Sequence, residues 1–230
     1  MNVTASTNTV LCTDLDRVSR GRRFIGLDFD GVLHAPEAGP PLVWTEAVGR
    51  NQMSAQDFNA HAVADALARQ NAAPSSASSG GSMFDRGIHL IDVLQRHEDV
   101  QIVIATSWRN ALTVDQIMTL MPPMLASRVV GMLERYTSEH SSWGIRCRLM
   151  KAWMDRFAAP GSLWLALDDQ PQLWEGHGDR LIRTPFETGM GPKEARLLDE
   201  HLNVIARSLA GSSQLQVTPA NEVLDLECEV

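Results

Sequence analysis

The chain contains few cysteines, no long apolar run and no excess of positive charge. Its three cysteines, Cys12, Cys147 and Cys228, are scattered without metal-ligand spacing, so we expect reduced thiols and a cytoplasmic protein. No apolar stretch approaches the length of a membrane span, and residues 1–9 lack the basic-then-apolar layout of a signal peptide. The net charge of −8 argues against strong non-specific attraction to a nucleic-acid backbone, although it leaves a local basic groove open.

One stretch, residues 24–33, stands out from this background. A short apolar run leads into Asp28 and Asp30, and Gly31 follows at once. The run predicts a buried strand of a parallel sheet, and ligands of such sheets bind at the carboxyl ends of the strands. Two carboxylates on one side of a strand end repel each other unless a cation or a proton lies between them. Oxygen ligands of this kind suit Mg²⁺. An isolated Asp-x-Asp, however, is a solvated turn about as often as it is a metal site.

Short apolar runs alternate with helical patterns along the rest of the chain. We predict strands at 23–29, 100–105, 129–133, 163–167 and 180–183. We predict helices at 54–69, 86–97, 114–121, 142–157 and from Pro192 onward. Strands alternating with helices imply right-handed crossovers and an α/β, three-layer Rossmann-like fold with a parallel sheet.

The domain organisation follows from composition. Residues 1–22 form an N-terminal tail, 23–210 the catalytic domain, and 211–230 an acidic C-terminal tail. A small cap insertion occupies about 34–85, with a short flap strand at 42–44 and a flexible loop at 74–82. Arginines near residue 20, including Arg22 and Arg23, form either a solvated lead-in to the first strand or a basic groove.

Polar side chains follow the later strands in a fixed order. Thr106 ends the second strand, and Ser107, Trp108 and Arg109 come directly after it. The helix before the fourth strand carries three cations, and the fourth strand ends in two acids; these residues are Arg146, Arg148, Lys151, Asp168 and Asp169. Taken singly, each feature also fits a structural role: a hydroxyl that satisfies local backbone, a solvated helix face or a solvated acidic turn.

The string Asp28-Phe-Asp30-Gly-Val-Leu33, with these features after it, resembles the haloacid dehalogenase-like (HAD) phosphohydrolase superfamily over about 23–205. The acid at position 30 resembles the phosphatases rather than the transport ATPases or dehalogenases. A phosphorelay receiver domain places its acids in the opposite order. The narrower stretches 104–109, 167–169 and 184–189 resemble the HAD domain of Swiss-army-knife RNA-repair proteins, although Met190 stands where Leu is usual.

This resemblance implies catalytic roles. Asp28 would be the nucleophile that forms an aspartyl-phosphate, and Asp30 the general acid and base. Thr106 would donate a hydrogen bond to the phosphoryl oxygens, with Ser107 as the neighbouring alternative. Arg146 is preferred over Lys151 as the cation that neutralises the phosphate.

The resemblance also implies a metal site. Mg²⁺ would be bound by Asp28, by the backbone carbonyl of Asp30 and by one of the paired acids. Asp169 is preferred as that ligand, and Asp168 would then orient a water or the ligand.

The implied activity is that of a Mg²⁺-dependent phosphatase whose substrate carries a phosphate monoester. A small cap favours bulky substrates, with terminal phosphates of nucleic acid as the leading class. A base could then stack on Trp108 while Arg109 holds a second phosphate, unless Trp108 packs under the cap and Arg109 pairs with an acid. The alternatives are a small-metabolite or nucleotide phosphatase and a non-catalytic HAD-like interaction module. The oligomeric state stays open.

Overall fold

The structure is a computed structural model that describes residues 22–42, 47–48, 53–71, 81–135 and 143–214. Both predicted tails, apart from Arg22 and residues 211–214, lie outside the described residues. The same is true of most of the predicted loop at 74–82 and of residues 43 and 44 in the predicted flap strand.

Five parallel strands form the central sheet of the described residues. They are β1 (Arg23–Leu27), β4 (Val100–Ile104), β5 (Val129–Met132), β6 (Leu163–Asp168) and β7 (Leu181–Arg183). Their order across the sheet is β5-β4-β1-β6-β7, so β1 lies in the middle. A separate antiparallel ribbon, β2 (Ala47–Val48) with β3 (Met53–Ser54), lies in the insertion. The predicted three-layer α/β fold is confirmed.

The helices are α1 (Ala55–Asn71), α2 (Gly87–Arg96), α3 (Val114–Leu120), α4 (Pro123–Ala126), α5 (Ile145–Phe157) and α6 (Pro192–Gln214). Helix α1 lies in the insertion. Its Val63 and Ala66 are buried in the main core, and Gln70 Nε2 donates a hydrogen bond to the Leu120 carbonyl at 3.3 Å. The helix of the insertion is therefore packed onto the body of the domain beside α3.

Successive side chains of each strand point to opposite faces of the sheet and enter two separate apolar cores. On one face, Ile25 and Leu27 of β1 pack with buried residues of α2, α3 and α6. On the other face, Phe24 and Ala166 pack with α5, where the Trp153 ring meets the Phe24 ring edge-on at 5.5 Å. Burial on both faces explains why the strands are continuous apolar runs in the sequence.

Among the described residues, no helix combines the length and the apolar character needed to cross a membrane.

Arg23 is buried at the start of β1, so for this residue the expectation of a solvated lead-in is wrong. Its side chain donates to both carboxylate oxygens of Asp99, with Nε 2.7 Å from Oδ2, and its Nη1 donates to the Leu202 carbonyl at 3.0 Å. The same Nη1 lies 3.2 Å from His97 Nδ1, and His97 Nε2 lies 2.9 Å from Asp199. These bonds tie β1 to the loop before β4 and to α6.

Replacing Arg23 with leucine should lower the free energy of unfolding by about 2 kcal/mol, because hydrogen bonds to charged partners at a buried guanidinium are lost. The matched control is Arg22→Leu at the exposed neighbouring position, which should change it by less than about 0.5 kcal/mol. Urea unfolding at pH 7 measures both. If both variants changed the free energy of unfolding equally, the hydrogen bonds of Arg23 would not stabilise the fold.

The same pair has a pH dependence. The hydrogen bond from Arg23 holds the pKa of Asp99 below its ordinary value of 3.8. A carboxyl group whose pKa is lowered by folding stabilises the folded state at pH values above its ordinary pKa. This stabilisation is lost as the pH falls through the lowered pKa. The difference in stability between wild type and Arg23→Leu should therefore narrow in urea melts below about pH 4.

Candidate active site

The register of the central strands brings three carboxylates together. Leu27 of β1 lies opposite Leu167 of β6, and the backbone N–H of Asp28 donates to the Leu167 carbonyl at 3.0 Å. Strand β1 ends one residue before Asp28, so the acids follow two neighbouring parallel strands at the same edge of the sheet. Carboxylate oxygens of Asp28, Asp168 and Asp169 lie within 4.8 Å of one another, and all three residues are buried.

Arg146, in the first turn of α5, lies between two of these acids. Its Nη1 donates to Asp28 Oδ2 at 2.5 Å and also to Asp168 Oδ2. Burial works to lower the pKa of the guanidinium, but the two carboxylates outweigh burial and raise that pKa, so Arg146 is charged. The other two candidate cations, Arg148 and Lys151, lie on the exposed face of α5. The structure thus brings Arg146 to the acids and leaves Lys151 away from them.

Asp168 is fully engaged by protein donors. Besides Arg146, Trp174 Nε1 donates to Oδ2 at 2.7 Å, and the backbone N–H of Gln170 donates to Oδ1 at 2.8 Å. Trp174 fits because position 26 is glycine: a Cβ there would lie 3.0 Å from the indole Cη2 atom. Trp174 gave no signal in the sequence, since its role depends on packing across the sheet. These bonds suit Asp168 to hold Arg146 in place.

Asp28 and Asp169 each keep one free oxygen. Oδ1 of both side chains is buried and has no hydrogen-bond partner among the described residues. Burial raises the pKa of Asp28 to about 7, with Arg146 opposing the shift and Asp168 adding to it. Burial, and then Asp168, raises the pKa of Asp169 to about 6. Two unpartnered buried carboxylate oxygens close together fit a hard divalent cation such as Mg²⁺, and they favour Asp169 over Asp168 as its ligand.

Asp30 stands apart from this cluster. Its side chain is 28% exposed, Oδ2 accepts a hydrogen bond from Trp108 Nε1 at 2.8 Å, and Oδ1 lies 3.2 Å from His34 Nε2. His34, the first residue of the predicted insertion, had no assigned role in the sequence analysis. The bridge between Asp30 and His34 closes the turn and brings the two side chains together.

The segment after β4 is more buried than predicted. Thr106 is fully buried beside the end of β1, and its Oγ1 accepts the backbone N–H of Trp108 at 3.4 Å, while Ser107 is partly exposed. Trp108 is 3% exposed, and Arg109 is completely buried, with Nη1 donating to the carbonyls of Ala105 and Thr106. The expectation that a base stacks on Trp108 and that Arg109 holds a second phosphate therefore does not fit. Trp108 packs inside the domain, and Arg109 binds backbone carbonyls.

The Thr184–Gly189 motif holds the loop that follows β1. Thr184 Oγ1 donates to the Gly31 carbonyl at 2.7 Å, and the Met190 N–H donates to the Val32 carbonyl at 2.7 Å. Gly189 has a φ of +64°, and a Cβ there would lie 2.7 Å from the Val32 oxygen, so only glycine fits this approach. The motif therefore acts on the site through the backbone.

Phe186, within the same motif, lies at the rim of the site. Its side chain is 49% exposed. A Cβ built on Gly31 would lie 3.0 Å from Phe186 Cδ2 and 3.1 Å from Asp169 Cγ, so one glycine separates the ring from the acid cluster. An aromatic ring exposed at this position offers a flat surface beside the carboxylates.

Comparison with known proteins gives one match. The family model of the HAD domain in Swiss Army Knife RNA repair proteins matches residues 24–195, a range that contains Asp28, Asp30, Arg146, Asp168 and Asp169. No curated protein and no solved structure matches the chain.

Asparagine substitutions should separate the paired acids. Asp168→Asn should lower the free energy of unfolding by about 3 kcal/mol, because Arg146 loses a buried charged partner. Asp169→Asn should leave the free energy of unfolding unchanged or raise it, because it removes a buried negative charge beside Asp168. Urea unfolding at pH 7 in EDTA measures both variants. If Asp169→Asn lost more unfolding free energy than Asp168→Asn, then Asp169, and not Asp168, would be the acid that holds Arg146.

Proposed function

Since the chain belongs to the family of HAD domains in Swiss Army Knife RNA repair proteins, we propose that it is a phosphatase that acts through an aspartyl-phosphate. The observation that carries this proposal is the contact of Arg146 Nη1 with Asp28 Oδ2 at the end of the central strand. A buried carboxylate beside one fixed cation is suited to receive a phosphoryl group, because the cation offsets the charge that gathers there.

In the first step, a carboxylate oxygen of Asp28 forms a bond to the phosphorus of a phosphate monoester. The bond from phosphorus to the ester oxygen breaks, and the carboxyl group of Asp30 gives its proton to that oxygen. Arg146 neutralises negative charge on the phosphoryl oxygens, and the buried hydroxyl of Thr106, which follows strand β4, donates a hydrogen bond to them.

In the second step, Asp30 is a carboxylate and takes a proton from a water molecule. The water oxygen forms a bond to phosphorus, and the bond from phosphorus to the Asp28 oxygen breaks. Inorganic phosphate leaves, Asp28 is again a carboxylate, and Asp30 again carries its proton.

Asp28 and Asp169 are the side chains that would hold Mg²⁺, since each has an unpartnered buried oxygen. The backbone carbonyl of Asp30 is the further ligand that the family resemblance implies. When bound, the ion supplies positive charge to the phosphate and to the clustered acids. Asp168 is hydrogen-bonded to Arg146 and Trp174, so its role is to position the Arg146 guanidinium and not to bind the metal.

Terminal phosphates of nucleic acid are the substrate class that we propose. The family description points to RNA repair. A base of the substrate stacks on Phe186 and not on the buried Trp108, because the Phe186 ring is exposed at the rim next to Gly31 and Asp169. Stacking on an aromatic ring tolerates any base, so it would bind a strand end without reading its sequence.

Hydrolysis of p-nitrophenyl phosphate tests the activity. Asp28→Asn should lower kcat by about a thousandfold or more, because an amide cannot form the acyl phosphate. EDTA should remove the activity, and Mg²⁺ should restore it. The matched control is Asp155→Asn, an exposed acid on α5, which should keep full activity. Wild-type rates in a folded Asp28→Asn protein would refute the mechanism.

Replacing Phe186 with alanine tests the substrate class. We expect KM for a phosphorylated oligonucleotide to rise about tenfold, as is typical for the loss of one base-stacking ring, with KM for glycerol phosphate unchanged. Val204→Ala is the control, because Val204 is exposed to a similar degree, 52% against 49%, but lies on α6. Assays on 5′- and 3′-phosphorylated strands show which end is preferred. An equal change in KM for both substrates would exclude base stacking at Phe186.

A further inference from the structure

The carboxylate of Asp30 is held on both oxygens. Trp108 Nε1 donates to Oδ2 at 2.8 Å, and His34 Nε2 lies 3.2 Å from Oδ1. A carboxylate oxygen can accept two hydrogen bonds, so each oxygen keeps capacity for a further one. The side chain is 28% exposed, while His34 is fully buried and Trp108 is 3% exposed. Two buried donors therefore fix a partly exposed acid from behind.

The environment of His34 settles which of its nitrogens donates. The backbone N–H of Phe84 donates to His34 Nδ1 at 3.3 Å, so Nδ1 is an acceptor. The proton of the imidazole is then on Nε2, the nitrogen that faces Asp30 Oδ1. The ring is also fixed edge-on against Phe84, with centroids 5.1 Å apart and planes at 90°.

Phe84 itself has an unusual backbone. Its φ is 63°, and it is the one non-glycine residue with positive φ among the described residues. Such a conformation is uncommon for a bulky residue and is kept where the surroundings enforce it. Here it points the Phe84 N–H at His34, while the Phe84 ring packs with Phe29 at 5.3 Å and with Trp108 at 6.0 Å.

Gly39, in the insertion, lies against Asp30 and its two donors. A Cβ at this position would lie 2.9 Å from Asp30 Oδ1, 3.0 Å from Trp108 Cζ2 and 3.4 Å from His34 Nε2. Its φ of −71° and ψ of 166° are open to any residue, so space alone requires glycine here. The backbone of the insertion therefore lies directly against both donors and the acid.

We propose that Trp108 and His34 are positioning residues that aim the Asp30 carboxyl group at the leaving-group oxygen. The inference rests on the proposed function, in which Asp30 gives a proton to that oxygen as the bond to phosphorus breaks. Proton transfer requires the acid to lie within hydrogen-bond reach of the leaving oxygen. A carboxyl group that is free to rotate would satisfy this geometry only part of the time, and two fixed donors remove that freedom.

Substrates with different leaving groups distinguish a loss of Asp30 positioning from general damage to the enzyme. A p-nitrophenolate ion leaves without help, whereas an alkoxide must be protonated as it departs. Loss of positioning should therefore slow the first step for an alkyl phosphate and hardly affect it for p-nitrophenyl phosphate. General damage to the fold or to phosphate binding would slow both to the same degree.

Trp108→Phe removes the indole N–H and keeps an aromatic ring. With enzyme in excess over substrate, we expect alcohol release from an alkyl phosphate to slow about tenfold, a fraction of what a placed acid usually contributes. Nitrophenolate release should change by less than about twofold. The control is Trp153→Phe, which loses an indole N–H that has no hydrogen-bond partner among the described residues and lies in the opposite core. The control should change neither rate.

Two further pairs of variants test the same geometry. His34→Ala should lower the alkyl-to-aryl rate ratio as Trp108→Phe does, and His34→Gln should restore much of it because its amide can donate from a similar position. Gly39→Ala should also lower the ratio, because its methyl group displaces the Asp30 carboxylate. Gly178→Ala is its control, since a Cβ there would meet no atom within 4 Å.

Nitrogen–proton NMR of the tryptophan indoles tests the hydrogen bond without any substrate. The Trp108 signal is identified by its absence in Trp108→Phe, and it should shift in Asp30→Asn while the Trp153 signal stays in place. If the wild type hydrolyses no phosphate monoester, the proposed function is wrong and the NMR still reports the contact. If the wild type is active but Trp108→Phe leaves the alkyl-to-aryl ratio unchanged, the positioning role is overturned.

Discussion

The charge of Arg146 is shared between two carboxylates that are almost completely buried. Asp28 is 2% exposed and Asp168 is fully buried, and the guanidinium that contacts both is 2% exposed. Removing such charges from water is costly unless they are paired and hydrogen-bonded, so Arg146 stabilises both acids in their charged form at the carboxyl ends of β1 and β6. Helix α5 supplies the guanidinium, the indole of Trp174 donates to the same Asp168 oxygen, and the absence of a side chain at Gly26 leaves room for that indole. What stays unpaired, one oxygen each on Asp28 and Asp169, is the part of the cluster available to a ligand.

A second constraint acts on the loop after β1. Its carbonyl groups accept hydrogen bonds from Thr184 at Gly31, from Met190 at Val32 and from Arg86 at Leu33. These bonds come from two separate parts of the chain, residues 184–190 and Arg86, and each uses the loop backbone rather than its side chains. The loop backbone is thus held by bonds that do not involve the side chains of Asp28 and Asp30, as a site built on a loop requires.

The sequence predicted the parallel sheet and the strand-end position of the acids, because continuous apolar runs followed by polar residues depend only on local order. It also favoured Arg146 and Asp169 within their groups, and the contacts of both side chains support those choices. It left open whether Trp108 stacks on a base or packs under the cap, because the burial of this ring depends on neighbours distant in the chain, and it gave no role to His34 beside Asp30. Exposed aromatic and buried aromatic residues look the same in a sequence, which is why base stacking was considered for the buried Trp108 and not for the exposed Phe186.

The bonds that hold the loop after β1 also fix when the site can form. Asp28 is made early, but its partners Arg146 and Asp168 are made much later, and the backbone donor of Met190 later still. A growing chain therefore lacks the partners of Asp28 until α5 and β6 have been made, and lacks the backbone donor of the Val32 carbonyl until Met190 has been added. Contacts so distant in sequence close slowly, because long loops must be ordered first. The acid cluster is therefore incomplete in any chain that has not been made as far as Asp169.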